Sequence, residues 1–392
     1  MANFRLRQFS DAAVLREVRV DRLVEFLGRH REHFARLGID LGVSGEGELD
    51  YDRIARALLD TDETTPRALI DDLYFVDEMA TEEGMDQLVA AVSDLSGEEQ
   101  GAIGLGADPT PADVAVAVRL RAPSILERKH AERSVTTKRS FYYFRPANRP
   151  HRPYAPPSSS QLAALEASLS AGFEALKRSR AVKVFVFEKE DAVWFLVRRG
   201  EPCKREAAVD PSGSASVFYR PAVYDVLRYD FSSGELSVSA GSSKKILELH
   251  RLAFGRHLFG DEAYFADRKG LFTLDPLQVN GSESLACGDI EGLESVILKE
   301  IRIHWGGPES EIEIRRATDL FRAFERRNRT IPEAARIVAA KFAMTFGDSK
   351  TARSVTISSS NRTSFTRDSD SPLVEEWMVN RGFTVADDDA PA

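Results

Sequence analysis

Two strand-length apolar runs lie only four residues apart: 182–187 (Val-Lys-Val-Phe-Val-Phe) and 192–197 (Ala-Val-Trp-Phe-Leu-Val). Both are dense in β-branched and aromatic residues, which suit a pleated, half-buried surface. Glu188, Lys189, Glu190 and Asp191 between them leave room only for a short turn, so the pair is expected to form a β-hairpin. A second pair follows at 223–230 and 235–240, joined through Ser232, Ser233 and Gly234. In the latter run Leu236, Val238 and Ala240 share one face, with Glu235, Ser237 and Ser239 opposite. Ser243 then stands as the N-cap of a helix carrying Ile246, Leu249, Leu252, Ala253 and Phe254, ended by Gly255 or Gly260. The unit is a hairpin followed by a helix.

The same order recurs. Residues 295–305, the turn Gly306-Gly307-Pro308 and 311–314 precede a helix with Ala317, Leu320, Phe321 and Phe324. Residues 337–346, the turn Gly347-Asp348-Ser349 and 354–357 precede one with Val374, Trp377 and Met378. The irregular spacing excludes a solenoid. The fold class expected is α+β: an all-helical N-terminal domain, then a β-rich region of repeated hairpin–helix units on a mixed, mainly antiparallel sheet. Re-phased, the elements read strand–helix–strand–strand twice, which resembles the duplicated order of some small-molecule-binding and regulatory domains; the likeness is one of order, with no shared motif.

No strand signal competes with helical spacing in the first third, where Leu15, Val18, Leu23, Phe26, Leu27, Phe34 and Leu37 begin a series of amphipathic segments. The boundaries expected are 1–133 for an acidic helical domain, 134–160 for a basic Pro-rich linker, and 161–385 for the α+β region. A subdivision of that region near 280–294 is allowed, and 386–392 is expected as a disordered acidic tail. At 392 residues the chain is long enough for several sizeable cores. Cys203 and Cys287, the only two cysteines, make neither a disulfide framework nor a zinc spacing. They suit a reducing compartment. The first residues lack an apolar signal core, and no run approaches the ~18–20 apolar residues of a membrane span, so a cytoplasmic protein with no membrane partner is expected. Arg and Ala abundance suggests a bacterial genome of high GC content.

Charge is segregated. Between Asp40 and Asp113 there are 20 acidic residues against three basic ones, Arg53, Arg56 and Arg67. Between Arg119 and Arg152 there are ten basic residues against Glu127 and Glu132. Aromatic residues 141–144 and Tyr154 are interleaved with them, and Pro146, Pro150, Pro153, Pro156 and Pro157 follow. Cations neutralise phosphates and exposed aromatic rings stack on bases, so Arg128, Lys129, Lys138, Arg139, Tyr143 and Arg145 are candidate binding residues for a nucleic acid. The competing reading places this basic segment against the chain's own acidic helices. The whole-chain charge of −9 weighs against a mainly electrostatic nucleic-acid binder, and the segregation equally suits a partner protein.

Candidate chemistry is sparse. Lys204 and Arg205, beside the small-residue loop 210–216, form a candidate anion contact. Cys203 has adjacent cations that favour thiolate but no sequence-local base. His250 and His257 lie seven apart on one helix, about 10–11 Å along its axis, too far to share a metal directly. His304 ends a strand before a glycine turn, a common position for a site. No phosphate-binding P-loop, HExxH, CxxC pair or nucleophile elbow is present, and neither a metal nor a cofactor is expected. The preferred function is a non-catalytic binding or regulatory protein contacting nucleic acid or a partner protein. An enzyme acting on a phosphate-containing substrate, nuclease- or hydrolase-like, is the first alternative; a structural subunit of a larger complex is the second. Oligomeric state is left open.

Overall fold

A computed structural model describes residues 8–42, 49–60, 64–136, 138–147, 150–210, 213–267, 270–334, 336–366 and 370–385. The expected disordered tail at 386–392 lies outside them. The chain divides into two compact units, Met1–Arg133 and Ser134–Ala392.

The described part of the first unit is helical: α1 (Ala12–Glu17), α2 (Val20–Gly28), α3 (Arg31–Arg36), α4 (Tyr51–Leu59), α5 (Arg67–Met79), α6 (Glu82–Ser93), α7 (Gly97–Ile103), α8 (Pro111–Arg121) and α9 (Pro123–Thr136). The starts are written in the sequence. Thr81, Ser96 and Thr110 each accept a backbone N–H of the first turn, Ser96 and Glu99 form a reciprocal capping box, and Pro111 opens α8. Helix α8 is buried around most of its circumference, with residues 112–118 and Leu120 enclosed. It is therefore the central helix, packed against α1, α2, α5, α6 and α7. Two buried or partly buried ion pairs tie it in place: Arg22 on α2 to Asp113, and Arg119 to Asp72 on α5.

The second unit is built on an eleven-stranded sheet in which every described pairing is antiparallel, so the mixed α+β class holds. Its elements are β1 (Ser140–Pro146), α10 (Ser159–Ala175), β2 (Val182–Glu188), β3 (Ala192–Gly200), β4 (Lys204–Asp210), β5 (Gly213–Tyr219), β6 (Ala222–Asp230), β7 (Leu236–Ser239), α11 (Lys244–Phe259), β8 (Phe265–Ala266), α12 (Pro276–Val279), β9 (Leu293–His304), β10 (Ile312–Arg316), α13 (Leu320–Arg326), β11 (Arg336–Phe346), β12 (Ser349–Ser358), β13 (Arg362–Ser364) and α14 (Ser371–Asn380). Strand order is β10-β9-β11-β12-β13-β1-β7-β6-β3-β2, with β8 added beside β1 and with β4 and β5 forming a separate ribbon. The helix after β7 ends at Gly260, whose φ of +69° is the left-handed cap glycine supplies. Ser243 precedes that helix, but its side chain makes no capping bond.

Two expectations are corrected here. The segment expected to be a basic linker contains β1, which lies mid-sheet between β13 and β7. The prolines that suggested a linker begin at Pro146, where β1 ends, and the run before it is aromatic and strand-forming. The small-residue loop beside Lys204 is largely the β4–β5 ribbon, with Lys204 opposite Tyr219 and Arg205 opposite Phe218; residues 211–212 lie outside the described ones.

Each face of the sheet has its own cover. Leu165, Leu169 and Phe173 of α10, with Ile246 and Phe254 of α11, pack on Val193, Phe195, Val197, Leu227 and Val238. On the other face Phe342 of β11 meets the Trp377 ring of α14 with centroids 5.2 Å apart, and Trp377 stacks on Phe383. Burying one such aromatic or aliphatic side chain stabilises by roughly 1.5–3 kcal/mol, so the two helical layers fix which parts of the sheet stay open.

Candidate functional site

Strand register assembles a polar surface that the linear sequence does not display. One row across five neighbouring pairings reads Arg316, Glu300, Lys341, Thr356, Ser364, Ser140. Two residues along each strand the next row reads Ile314, Arg302, Ala339, Ser358, Arg362, Tyr142. Residues two apart on a strand point to the same side, so both rows share one face. The second row continues through Val238, Leu227, Phe195 and Val186. There it becomes apolar and lies under α10 and α11. One face therefore changes from a helix-covered core to a polar, open surface at β1.

The open part is a groove of about 330 Å³ lined by Glu300, Arg302, Arg316, Lys341, Arg362 and the hydroxyls of Thr356, Ser358 and Ser364. Four cations face one carboxylate. Glu300 is 5% exposed and accepts from Arg316 Nε at 2.7 Å and from Arg302 Nε at 3.3 Å. Burial pushes its carboxyl up, but the hydrogen bonds and charges of these two arginines outweigh it and hold it below the ordinary range. Lys341 and Arg362 have no carboxylate partner among the described residues. The Arg362 Nε donates to Ser140 Oγ at 2.7 Å, and its guanidinium lies 5.4 Å from the Tyr142 ring centroid. Arginine forks, an ammonium and hydroxyl donors suit phosphate or another oxyanion. Among the described residues no group of three His, Cys, Asp or Glu is placed to hold a metal.

The residues singled out from sequence fall elsewhere. Arg145 is 9% exposed; its Nε donates to Glu235 Oε1 at 2.6 Å and its Nη1 to the Val385 carbonyl at 3.0 Å. Tyr143 is buried, its hydroxyl 3.0 Å from Thr363 Oγ1 and its ring edge-on to Phe272. Neither can meet a nucleic acid, because both point into the unit as part of a mid-sheet strand. Arg128 is exposed on α9, and Lys129 beside it pairs with Glu132 at 2.9 Å. Lys138 is half-buried and Arg139 exposed, just before β1. Arg128 and Lys129 belong to the first unit, Lys138 and Arg139 to the second.

The catalytic candidates are not brought together. Cys203 is exposed and unpaired, and Lys204 and Arg205 are exposed at the start of β4, in the ribbon between β3 and β6. His304 ends β9, with six strands between it and β3, one row along from Arg302 on the groove's face. His257 is half-buried on α11, where burial holds its imidazole below the ordinary range. His250 is fully buried, with Nε2 2.8 Å from Asp225 Oδ2. Asp225 also accepts from Arg199 Nε at 2.5 Å and Nη2 at 3.1 Å, and Arg199 continues to Glu201 and thence Arg178. Burial raises the Asp225 carboxyl, but His250 and Arg199 outweigh it and hold it below the ordinary range. This chain of charges ties α11 to β6 and β3 and reaches the segment that follows α10.

Sequence reasoning missed Arg302, Arg316, Lys341 and Arg362. Each comes from a different strand, and only the pairing register makes them neighbours. The available signal was that these strands carry charge on the face where β3 carries Val193, Phe195 and Val197.

No protein-family model matches the chain, and no curated protein sequence matches it.

Proposed function

We propose that the protein is a non-catalytic binding protein that holds a phosphate-bearing polymer, a nucleic acid, on the open face of its sheet. The observation that carries this reading is the groove's four cations around a single carboxylate already bonded to two of them. Lys341 and Arg362 are thereby left to a ligand's charge. Arg and Lys contacts to phosphate supply affinity without base specificity. The one aromatic ring in the open part of the two rows among the described residues, Tyr142, lies under Arg362, which favours backbone contact over base stacking.

A phosphate-bearing small molecule is the second reading, favoured by the groove volume of about 330 Å³, at the lower end of the range for ligand pockets. We further take the chain to be bacterial and cytoplasmic; Arg-rich composition and two unpaired cysteines support that. No helix among the described residues is long and apolar enough to cross a membrane. The order of an acidic helical domain before hairpin–helix units is part of the same proposal.

The test is direct binding of labelled single- and double-stranded DNA and RNA to the full chain and to the variant Lys341→Gln/Arg362→Gln, with inorganic triphosphate and mononucleotides as competitors. Binding that the variant loses supports the site. Displacement by equimolar mononucleotide selects the small-molecule reading, and equal binding by variant and parent removes the groove from the account.

A further inference from the structure

The two edges of the sheet are treated differently. At the β2 edge the outward Val184 N–H donates to Glu166 Oε1 of α10 at 2.9 Å, so a side chain blocks that edge. At the β10 edge no such block occurs among the described residues. The hydrogen-bond phase of β10 follows from its ends: Trp305 N–H donates to the Glu311 carbonyl and Ala317 N–H to the Lys299 carbonyl, both at 3.0 Å. Odd-numbered residues of β10 therefore bond inward to β9. Ile312, Ile314 and Arg316 turn their backbone N–H and C=O groups outward. Ile312 is 59% and Ile314 53% exposed. An edge with alternating exposed isoleucines and no proline or bulge is a ready template for another strand.

We propose that β10 pairs with β10 of a second copy of this chain, antiparallel about a two-fold axis at Ile314. Self-complementarity selects both the occupant and the register. Centred on Ile314, the pairing sets Ile314 against its own copy and places Glu313 opposite Arg315 of the second copy, twice by symmetry. Centred on Glu313 or on Arg315, it sets like charges directly opposite. Centred on Ile312, it sets Glu311 against Glu313. Opposite charges across a pair stabilise and like charges destabilise, so a single register is favoured. Within one copy Glu313 accepts from Arg315 Nε at 2.7 Å and from Trp305 Nε1 at 3.0 Å. In the pair these become a four-charge cluster on the face opposite the groove. The interface is isologous, closes after two copies, and joins the two sheets edge to edge. Both grooves then lie on one continuous face, flanking the Ile314 pair.

The test is the mass of the full chain by light scattering over a concentration series, for the parent, Glu313→Arg, Arg315→Glu and the double swap. The expected result is twice the chain's 43.6 kDa for the parent and the double swap, and the single-chain mass for each single variant at the same concentration. Restoration by the double swap separates lost pairing from lost folding. In a Cys203→Ser/Cys287→Ser background, Ile314→Cys is expected to cross-link on oxidation, since a hydrogen-bonded antiparallel pair places Cα atoms about 5.5 Å apart. A parent that stays at the single-chain mass, single variants that keep the double mass, or a double swap that fails to recover it would overturn the proposal.

Discussion

Glu300 and Lys341 stand directly opposite each other on β9 and β11, yet Glu300 bonds to Arg302 and Arg316 and leaves Lys341 without a counter-charge. A lysine facing a carboxylate across a strand pair is the arrangement expected to neutralise itself. Here the carboxylate is claimed from the neighbouring strand and from its own. The groove keeps net positive charge for that reason, and its chemistry follows from which partner Glu300 selects.

Replacing Glu300 should therefore alter the groove rather than empty it. Glu300→Gln frees Arg302 and Arg316 and removes the only lining carboxylate among the described residues. Oligonucleotide affinity at low salt is expected to rise several-fold in a fluorescence anisotropy assay. A fall in affinity with an unchanged thermal midpoint would show that Glu300 organises the arginines more than it opposes the ligand.

Arg145 gives the opposite expectation. It is bonded to Glu235 and to the Val385 carbonyl inside the unit. Arg145→Met leaves Glu235 without its cation and is expected to lower the unfolding free energy by about 1–3 kcal/mol. The salt dependence of oligonucleotide binding should stay as in the parent. Urea denaturation beside a salt titration checks both halves.

The buried charge chain predicts a larger loss. Asp225→Ala leaves Arg199, 3% exposed, without its main carboxylate and His250 without its acceptor. Removing one partner of a buried pair costs about 3–5 kcal/mol. The thermal midpoint of the second unit should fall accordingly. A midpoint within a degree of the parent would show that the hold on α11 rests on its apolar contacts alone.

His130 of α9 carries a pH prediction for the first unit. Burial, helped by the nearby Arg133 charge, lowers its imidazole from 6.5 to about 4. It packs edge-on to Tyr74 and Phe75. The folded-state value lies below the unfolded one, so stability is complete above pH 6.5 and is lost as pH falls towards 4. The loss is on the order of 3 kcal/mol at the acid end. Urea midpoints followed by circular dichroism at pH 7 and pH 5 should differ in the parent and converge in His130→Phe.

Local signals carried much of the architecture. The hairpin at residues 182–197 and a glycine stop for α11, expected at Gly255 or Gly260 and found at Gly260, were legible because caps, turns and periodicity act over a few residues. β1 was not, since its aromatic run sits beside prolines and arginines and its partners, β13 and β7, lie about 220 and 95 residues later. The groove was illegible for the same reason at larger scale. Arg302, Arg316, Lys341 and Arg362 come from four strands, and no spacing rule links them before the register is known. Charge density, which drew attention to residues 119–152, is a poor guide when an arginine such as Arg145 is used to satisfy a buried carboxylate.

The central claim is that Lys341 and Arg362 meet phosphates, and the most direct measurement is the slope of log K against log salt for a single-stranded oligonucleotide. Each phosphate neutralised contributes about 0.7 to that slope. Lys341→Gln/Arg362→Gln is expected to shallow the parent's slope by ~1.4 while the thermal midpoint holds. An unchanged slope, or a parent that fails to bind at low salt, would contradict it.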